Sequence, residues 1–406
     1  MPNYFFVFFK YIYYLIRLPL LYLLRLISSL ITKNKKIWIF GAREGKSFSG
    51  NSKYLFLYLQ KFHNIRSIWI SKNREVVEEL KSKELAGHHA YSLSGIYFSL
   101  RAYVCFTTHG IYDINPYLIG RSIYINLLHV TFPIKQMEYN FSGYVPSKFI
   151  TLFMLLIHKP FVFQKPDYIV SSSDWTARIF SSAYLVDKKN ILKIGCLRSD
   201  RILDRFDDED QLVLEKILPD LNYTHLLFFF PTWRKDTDFD LFSYGFNENK
   251  VLDFLEKTNS ILLVGLHPFD LNRYEQTSNS LNKRIVLINT KTTDTLPILK
   301  NSSVFITDYS STFAGFLLLD RPIVFANFNH NAYVQERELY WNYNEITPGP
   351  KADSWDILLN HLTEILINKK DDYQKDRQML RAQIYRYRDG KSCSRLVDAV
   401  CKIING

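Results

Sequence analysis

The 406 residues carry 51 Lys and Arg against 40 Asp and Glu, a formal charge of +11, and are 47% apolar and 16% aromatic. Such a composition excludes a disordered chain and predicts thick cores or membrane contact, and the positive balance suits nucleic acid, acidic lipid or a phosphorylated substrate. Cys105, Cys196, Cys393 and Cys401 lack Cys-x-x-Cys spacing and nearby histidine pairs, so they read as reduced, mostly buried thiols of a cytoplasmic protein, with no structural zinc site.

Residues 4 to 31 are almost wholly apolar and aromatic, interrupted by Lys10, Arg17, Arg25 and Pro19. On a helix the three cations fall within roughly 80° of one another, opposite a face of Phe, Tyr, Leu and Ile. Charges inside the apolar region and the lack of a small-residue cleavage site argue against a cleavable leader. The pattern predicts an amphipathic helix over 1–33 lying in the membrane interface, with its cations and Lys33, Lys35 and Lys36 meeting anionic headgroups. A tilted span and a helix packed on its own protein fit the same pattern. Phe149 to Phe163, between Lys148 and Lys165, reads either as a second surface-contacting helix or as a buried one.

From Lys36 the chain alternates short apolar runs with helical stretches, the pattern of an α/β protein. Runs at 36–40, 67–70, 102–107, 123–127, 168–171 and 191–194 predict strands. The loop Ala42 to Asn51 matches neither the Rossmann nor the P-loop glycine spacing. Two runs end in histidine, at His109 and His129. Either could be an ordinary packed or surface residue, but Lys135 follows His129 by six positions. A neutral imidazole beside a phosphate-binding lysine suits removal of a proton from an attacking hydroxyl. After Asp200 the sequence turns acidic and helical, which predicts a crossover between halves.

In the second half, strands at 225–230, 260–266 and 286–289 end near Thr232 and Arg234, at His267, and before Asp294. Val304 to Phe328 then reads as strand, turn, helix and strand, one βαβ unit, with Thr307, Asp308, Ser310, Ser311 and Thr312 where the helix begins. Hydroxyls there could cap an ordinary helix or hold an anion at its positive end. In a parallel sheet the strand ends share one edge, so Thr232, Arg234, His267, Asp308, Ser310 and Ser311 could converge on one ligand.

Several of these stretches resemble one family in order and spacing. Leu128-His129-Val130-Thr131-Phe132-Pro133-Ile134-Lys135 imperfectly resembles a tryptophan-histidine-glycine-threonine-proline-leucine-lysine motif. Gly195-Cys196-Leu197-Arg198-Ser199-Asp200 resembles a glycine-x-proline-arginine-x-aspartate motif. Pro231 to Arg234, His267-Pro268, Thr307 to Ser311, Tyr333 to Glu338, Pro348-Gly349-Pro350 and Asp389-Gly390-Lys391 with Arg395 resemble its later segments. The chain thus resembles the CDP-glycerol glycerophosphotransferases of teichoic-acid and capsule polymerase type over roughly residues 36 to 404. Departures are Leu128 for tryptophan, Val130 for glycine, Leu197 for proline, and Gly315 where many members carry an acidic residue.

The resemblance implies an α/β, GT-B-like fold of two Rossmann-like domains facing a cleft. It implies an acceptor-side domain over 34–200, a CDP-donor domain over 201–385, and a helix at 386–406 returning to the first. By position His129 would be the general base and His267 would hold the pyrophosphate. Thr307, Asp308, Ser310, Ser311 and Thr312 would cradle phosphates, with Thr232, Lys135, Arg198, Arg234 and Arg337 in support. The implied reaction moves a polyol phosphate from CDP-glycerol or CDP-ribitol to a polymer or lipid-linked glycan acceptor and releases CMP, at the cytoplasmic face of the membrane, bound peripherally to anionic lipids. It implies neither a cofactor nor a metal. A GT-B glycosyltransferase using a nucleotide sugar and a catalytically weak scaffold of a surface-polymer assembly complex are the competing expectations. Dispersed cations, with no basic stripe or recognition motif, argue against nucleic acid.

Overall fold

Ile37 and Ile39 of the first strand join the core on one face of a sheet, Trp38 and Phe40 the core on the other, and all four are buried. Burying such side chains is worth roughly 1.5–3 kcal/mol each. Two covered faces explain why the strands read as continuous apolar runs rather than alternating ones. The computed structural model describes residues 4–62, 64–142, 145–204, 207–218, 222–232, 240–267, 274, 282–290, 292–336 and 338–406, with side chains described from residue 11 onward except at 331, 332 and 336.

The chain forms two units, one of Met1–Thr131, Met137–Arg201 and Arg386–Gly406, the other of Phe132–Gln136 and Ile202–Tyr385. In the first unit β1 (Asn34–Phe40), β2 (Arg66–Ser71), β3 (Gly87–His89), β4 (Ala102–Thr107), β5 (Ile123–Asn126), β6 (Tyr168–Ser171) and β7 (Ile191–Lys193) make a sheet of order β3-β2-β1-β4-β5-β6-β7. Every pairing in it is parallel. The C-terminal helix Ser392–Asn405 packs in this unit. Its first turn is held by Asp200, whose carboxylate accepts from the Ser392 N–H at 2.6 Å and Ser392 Oγ at 2.7 Å. Arg395 donates to the Ile194 carbonyl at 2.9 Å.

The second unit holds β8 (His225–Phe230), β9 (Ser260–Leu266), β10 (Ile285–Asn289), β11 (Val304–Thr307), β12 (Ile323–Ala326) and β13 (Lys351–Ala352), in the order β10-β9-β8-β11-β12-β13. These pairings too are parallel. Two doubly covered parallel sheets make the chain GT-B-like, and the βαβ reading of Val304 to Phe328 holds. Arg321 opens β12 by donating to the Lys300 and Ser302 carbonyls, both at 2.8 Å. Pro348-Gly349-Pro350 runs against β12 so closely that a Cβ on Gly349 would lie 2.0 Å from the Ile323 carbonyl oxygen. The acidic crossover is helix Asp208–Ile217, in which Asp210 is buried in an ion pair with Lys300.

The amino-terminal helix, α1 (Tyr4–Leu30), is continuous, and Tyr11–Leu30 is long and apolar enough to cross a membrane. Arg17, Arg25, Lys33 and Lys35 do not take the expected orientation, and the Lys10 side chain lies outside the described residues. Arg17 donates to the His158 carbonyl at 2.8 Å and Arg25 to that of Pro116 at 2.6 Å, while Lys33 and Lys35 reach the carbonyls of Leu100 and Ile404 at 2.8 and 2.9 Å. They face the first unit because its loop and helix ends present free carbonyls there. The outward face instead carries Ile16, Leu20, Leu23, Ile27 and Leu30, spaced as one helical stripe. Helix Phe149–His158 packs beside α1, with the His158 and Tyr14 rings 4.8 Å apart. It is not a buried helix, because Phe149, Ile150, Phe153 and Leu156 are exposed.

All four cysteines are free thiols, and three of them are buried. Burial pushes the Cys105 thiol up to about 12, which leaves it inert.

Candidate functional site

In the second unit, β9, β8, β11 and β12 are neighbours, so their carboxyl ends line one edge of the sheet. His267 follows β9, Thr232 follows β8, the run Asp308 to Thr312 follows β11, and Asn327 follows β12. Thr307 and Asp308 are buried and serve the scaffold. Thr307 Oγ1 donates to the Phe230 carbonyl at 2.8 Å, stitching β11 to β8. Asp308 Oδ1 accepts from the backbone N–H groups of Thr232 at 2.8 Å and Tyr309 at 2.5 Å, and its carbonyl accepts from Tyr343 Oη at 3.0 Å. Ser310, Ser311 and Thr312 are half-buried, and among the five they are the ones open to a ligand.

The hydroxyls do not cap a long helix. Helical structure is limited to Phe313–Phe316 and a 3-10 turn Leu317–Leu319, and Thr312 at the N-cap makes no side-chain capping bond. Asp320 turns left-handed at φ 51°, which ends the helix before Arg321 and Pro322 start β12. Ser310 Oγ instead donates to Thr312 Oγ1 at 3.0 Å and accepts the Thr312 N–H at 3.3 Å, a tight polar turn rather than the positive end of a long dipole.

Sequence reasoning named Thr232 but missed Asn327 and an aromatic cluster at this edge. The buried oxygens Thr232 Oγ1 and Asn327 Oδ1 find no hydrogen-bond partner among the described residues, an expense that a bound polar ligand would remove. Beside them Tyr309 stacks on Tyr333 with centroids 3.7 Å apart and shares a 2.7 Å hydrogen bond with His330 Nδ1. Asn327 could have been found by the strand-end rule that found His267. The aromatic cluster has no local signature, since its members lie on separate segments.

Lys135 belongs to this unit, not to the unit of His129. Residues 132–136 join the second unit through an isolated antiparallel bridge of Lys135 with Leu339, beside which the Gln136 N–H donates to the Glu338 carbonyl at 2.9 Å and Trp341 Nε1 donates to the Pro133 carbonyl at 3.0 Å. Lys135 Nζ lies 5.3 Å from the centre of the Tyr333 ring. Arg234 and Arg337 lie outside the described residues.

In the first unit, β5 leads to Leu128, whose left-handed φ of 56° is costly for a branched side chain. The turn is pinned from both sides. Asn126 Oδ1 accepts the Leu128 N–H at 2.9 Å, and Asn51 Nδ2 donates to the Leu127 and Leu128 carbonyls at 3.0 and 2.7 Å. Asn51 Oδ1 also accepts the Arg198 N–H at 3.0 Å, tying helix Leu197–Leu203 to the same turn.

His129, thrown outward by that turn, stacks on His109. Beneath them Asp113 is buried and accepts backbone N–H groups from Glu44 at 2.8 Å, Thr108 at 2.8 Å and His109 at 2.7 Å. Its Oδ2 lies 3.8 Å from His109 Nδ1. Surrounding protein, then the neighbouring His109 charge and Arg43, lower the His129 pKa from 6.5 to about 4, against an opposing pull from Asp113. The ring still reaches solvent, so water screens part of this effect, and its sign, a neutral imidazole at pH 7, is what matters. Asp113, six residues past the predicted strand 102–107, was missed because a lone aspartate in a loop carries no pattern.

Among the described residues no group of three or more His, Cys, Asp or Glu is placed to hold a metal ion.

Residues 22–402 match the family described as CDP-Glycerol:Poly(glycerophosphate) glycerophosphotransferase. A teichoic acid poly(glycerol phosphate) polymerase of Staphylococcus epidermidis is 28% identical over 338 residues, 78% of this chain but 43% of that longer protein. A teichoic acid glycerol-phosphate transferase of Staphylococcus aureus is 24% identical over 385 residues, 91% of this chain and 94% of that one. The solved structure of the wall teichoic acid polymerase TagF shares the fold, with a TM-score of 0.72 at 24% identity over 98% of both chains.

Proposed function

Because the chain belongs to the CDP-Glycerol:Poly(glycerophosphate) glycerophosphotransferase family, we propose that it transfers a polyol phosphate, glycerol phosphate first, from a CDP-polyol to a hydroxyl of a surface polymer or lipid-linked glycan precursor. The observation that carries this reading is the family match over 22–402, in a chain whose second sheet lines up His267, Thr232, Ser310 and Ser311 along one carboxyl edge. The neutral His129 takes the proton of the acceptor hydroxyl. The acceptor oxygen then forms a bond to the β-phosphorus of the donor as the bond from that phosphorus to the bridging oxygen breaks, and CMP leaves with that oxygen. His267 and the polar turn Ser310 to Thr312 hold the pyrophosphate, and their donors offset the charge that develops on the leaving group. Work takes place at the cytoplasmic face of the membrane, where the apolar outer stripe of α1 and the exposed face of helix Phe149–His158 enter the lipid.

The test is a donor screen of the full chain with CDP-glycerol, CDP-ribitol and a panel of nucleotide sugars, in the presence of a short glycerol phosphate oligomer. CMP release with a CDP-polyol supports the reading, and nucleoside diphosphate release from a nucleotide sugar would replace it with glycosyl transfer. Silence with every donor would leave a binding role.

A further inference from the structure

The first unit contains a cavity of about 230 Å³ whose wall includes His109, the ring stacked on His129. We infer that this cavity holds the growing end of the acceptor, a polyhydroxylated phosphodiester whose terminal hydroxyl is thereby delivered to the imidazole pair. The inference rests on the transferase reading given above and assigns the acceptor a place within it.

The lining sets aromatic faces and two cations beside the carboxylates Glu44, Asp113 and Glu138. Tyr112, Tyr139 and Phe163 supply aromatic faces for the C–H surface of a polyol, and Lys159 and Lys165 supply cations for its phosphate. The two lysines are not equivalent. Lys159 is already committed to Glu44 at 2.5 Å, and the bond holds the Glu44 carboxyl down at about 2. Lys165 is exposed and forms no ion pair or hydrogen bond among the described residues. It is therefore the cation left for an anionic guest. Also in the wall, the Asp113 carboxylate, fixed by backbone N–H groups, holds the loop that carries His109.

Position supports a guest that arrives on a lipid. The wall segment 162–166 is clamped by α1, through the Tyr22 ring 5.2 Å from that of the preceding Phe161 and Arg25 Nη2 3.5 Å from Gln164 Oε1. The same α1, and the helix Phe149–His158 just before this segment, turn bare apolar side chains outward. A head group anchored in the lipid that takes up those side chains has a short path to the cavity. The volume suits one polyol phosphate repeat rather than a length of polymer.

A glycerol phosphodiester could also come from a phospholipid headgroup, so the experiment has two arms. Binding of a fluorescent three-unit glycerol phosphate oligomer to the full chain is measured without donor, beside sedimentation with phosphatidylglycerol and phosphatidylcholine vesicles. Lys165→Glu and Phe163→Ala are each expected to weaken oligomer binding and to raise the acceptor KM roughly tenfold or more, the scale of one charge-assisted contact. The KM for CDP-glycerol should stay within about twofold, which also reports an intact fold. Unchanged oligomer affinity in both variants would overturn the inference, as would a wild-type chain that binds no oligomer. Loss of phosphatidylglycerol binding with oligomer affinity intact would overturn it in favour of a lipid headgroup site. Oligomer binding that depends on Lys165, in a protein silent with every donor, would sink the transferase reading while retaining the cavity as a phosphodiester site.

Discussion

The imidazole of His109 lies parallel to that of His129, 11° from coplanar with centroids 4.8 Å apart. Burial first, and then the neighbouring His109, lowers the His129 pKa to about 4, which keeps this ring neutral at pH 7. Its base-competent form therefore persists as pH falls, and kcat/KM should stay level down to about pH 5 before dropping. His109→Phe keeps the stack but removes the second charge, so the His129 pKa should rise and the acid limb move upward. An acid limb near 6.5 that ignores the substitution would contradict this. His129→Ala should lower turnover by about 100-fold or more, the usual effect of removing a positioned base.

Asp113 should matter to stability as well as to the histidines. Burial alone would raise its carboxyl, but hydrogen bonds from His109 and from backbone N–H groups outweigh burial and hold it below the usual range. A folded-state pKa below the unfolded one stabilises the protein above the unfolded value of about 3.9, and that stabilisation is lost as pH falls through the folded value. Asp113→Ala strands buried N–H groups at about 1–3 kcal/mol each. Its melting midpoint at pH 7 should fall clearly below wild type, with Asp113→Asn between them, and the gap should narrow toward pH 3. Equal midpoints at pH 7 would refute the role.

Thr232 allows structure and ligand binding to be separated. Its buried Oγ1 has no partner among the described residues, so Thr232→Val removes an unsatisfied group of equal size. The free protein should melt at the same temperature or slightly higher, while the KM for CDP-glycerol rises about threefold to tenfold, the range of one neutral hydrogen bond. A lower melting point with unchanged KM would show that the hydroxyl serves the fold.

The orientation of α1 changes what drives membrane binding. With Arg17 and Arg25 bonded to the protein and Ile16 and Leu23 exposed, attachment should depend on apolar burial more than on headgroup charge. The double substitution Ile16→Glu with Leu23→Glu should reduce vesicle sedimentation at least tenfold, since each buried leucine-sized side chain is worth roughly 1.5–3 kcal/mol. Sedimentation that survives it, or that vanishes in moderate salt for the wild type, would restore the electrostatic picture.

Most of the α/β alternation was legible because doubly buried strands are short unbroken apolar runs, as at Ser260–Leu266. The edge strands β3 and β13 were not, being Gly87–His89 and Lys351–Ala352, short and without the apolar run that marked the similarly short β7. At the second sheet's edge the sequence marked His267, Ser310 and Ser311, because the strand-end rule needs only local pattern. It also marked Thr307 and Asp308, which bond to the Phe230 carbonyl at the end of β8 and to the Thr232 N–H just beyond it. Nothing local distinguishes an aspartate that binds a ligand from one that binds its own backbone.

By itself the sequence determined the α/β alternation, the apolar amino-terminal helix and the strand ends at which polar groups emerge, because these follow from residue periodicity along a few turns or strands, while the division into two sheets came from the family resemblance. Only the tertiary structure decided that Arg17 and Arg25 face inward, that Lys135 packs against Tyr333 in the other unit from His129, and that Asp113 and His109 stand beneath and beside His129. Those relationships depend on which distant carbonyls, rings and N–H groups come to lie within hydrogen-bonding or stacking range, and no spacing along the chain encodes that distance.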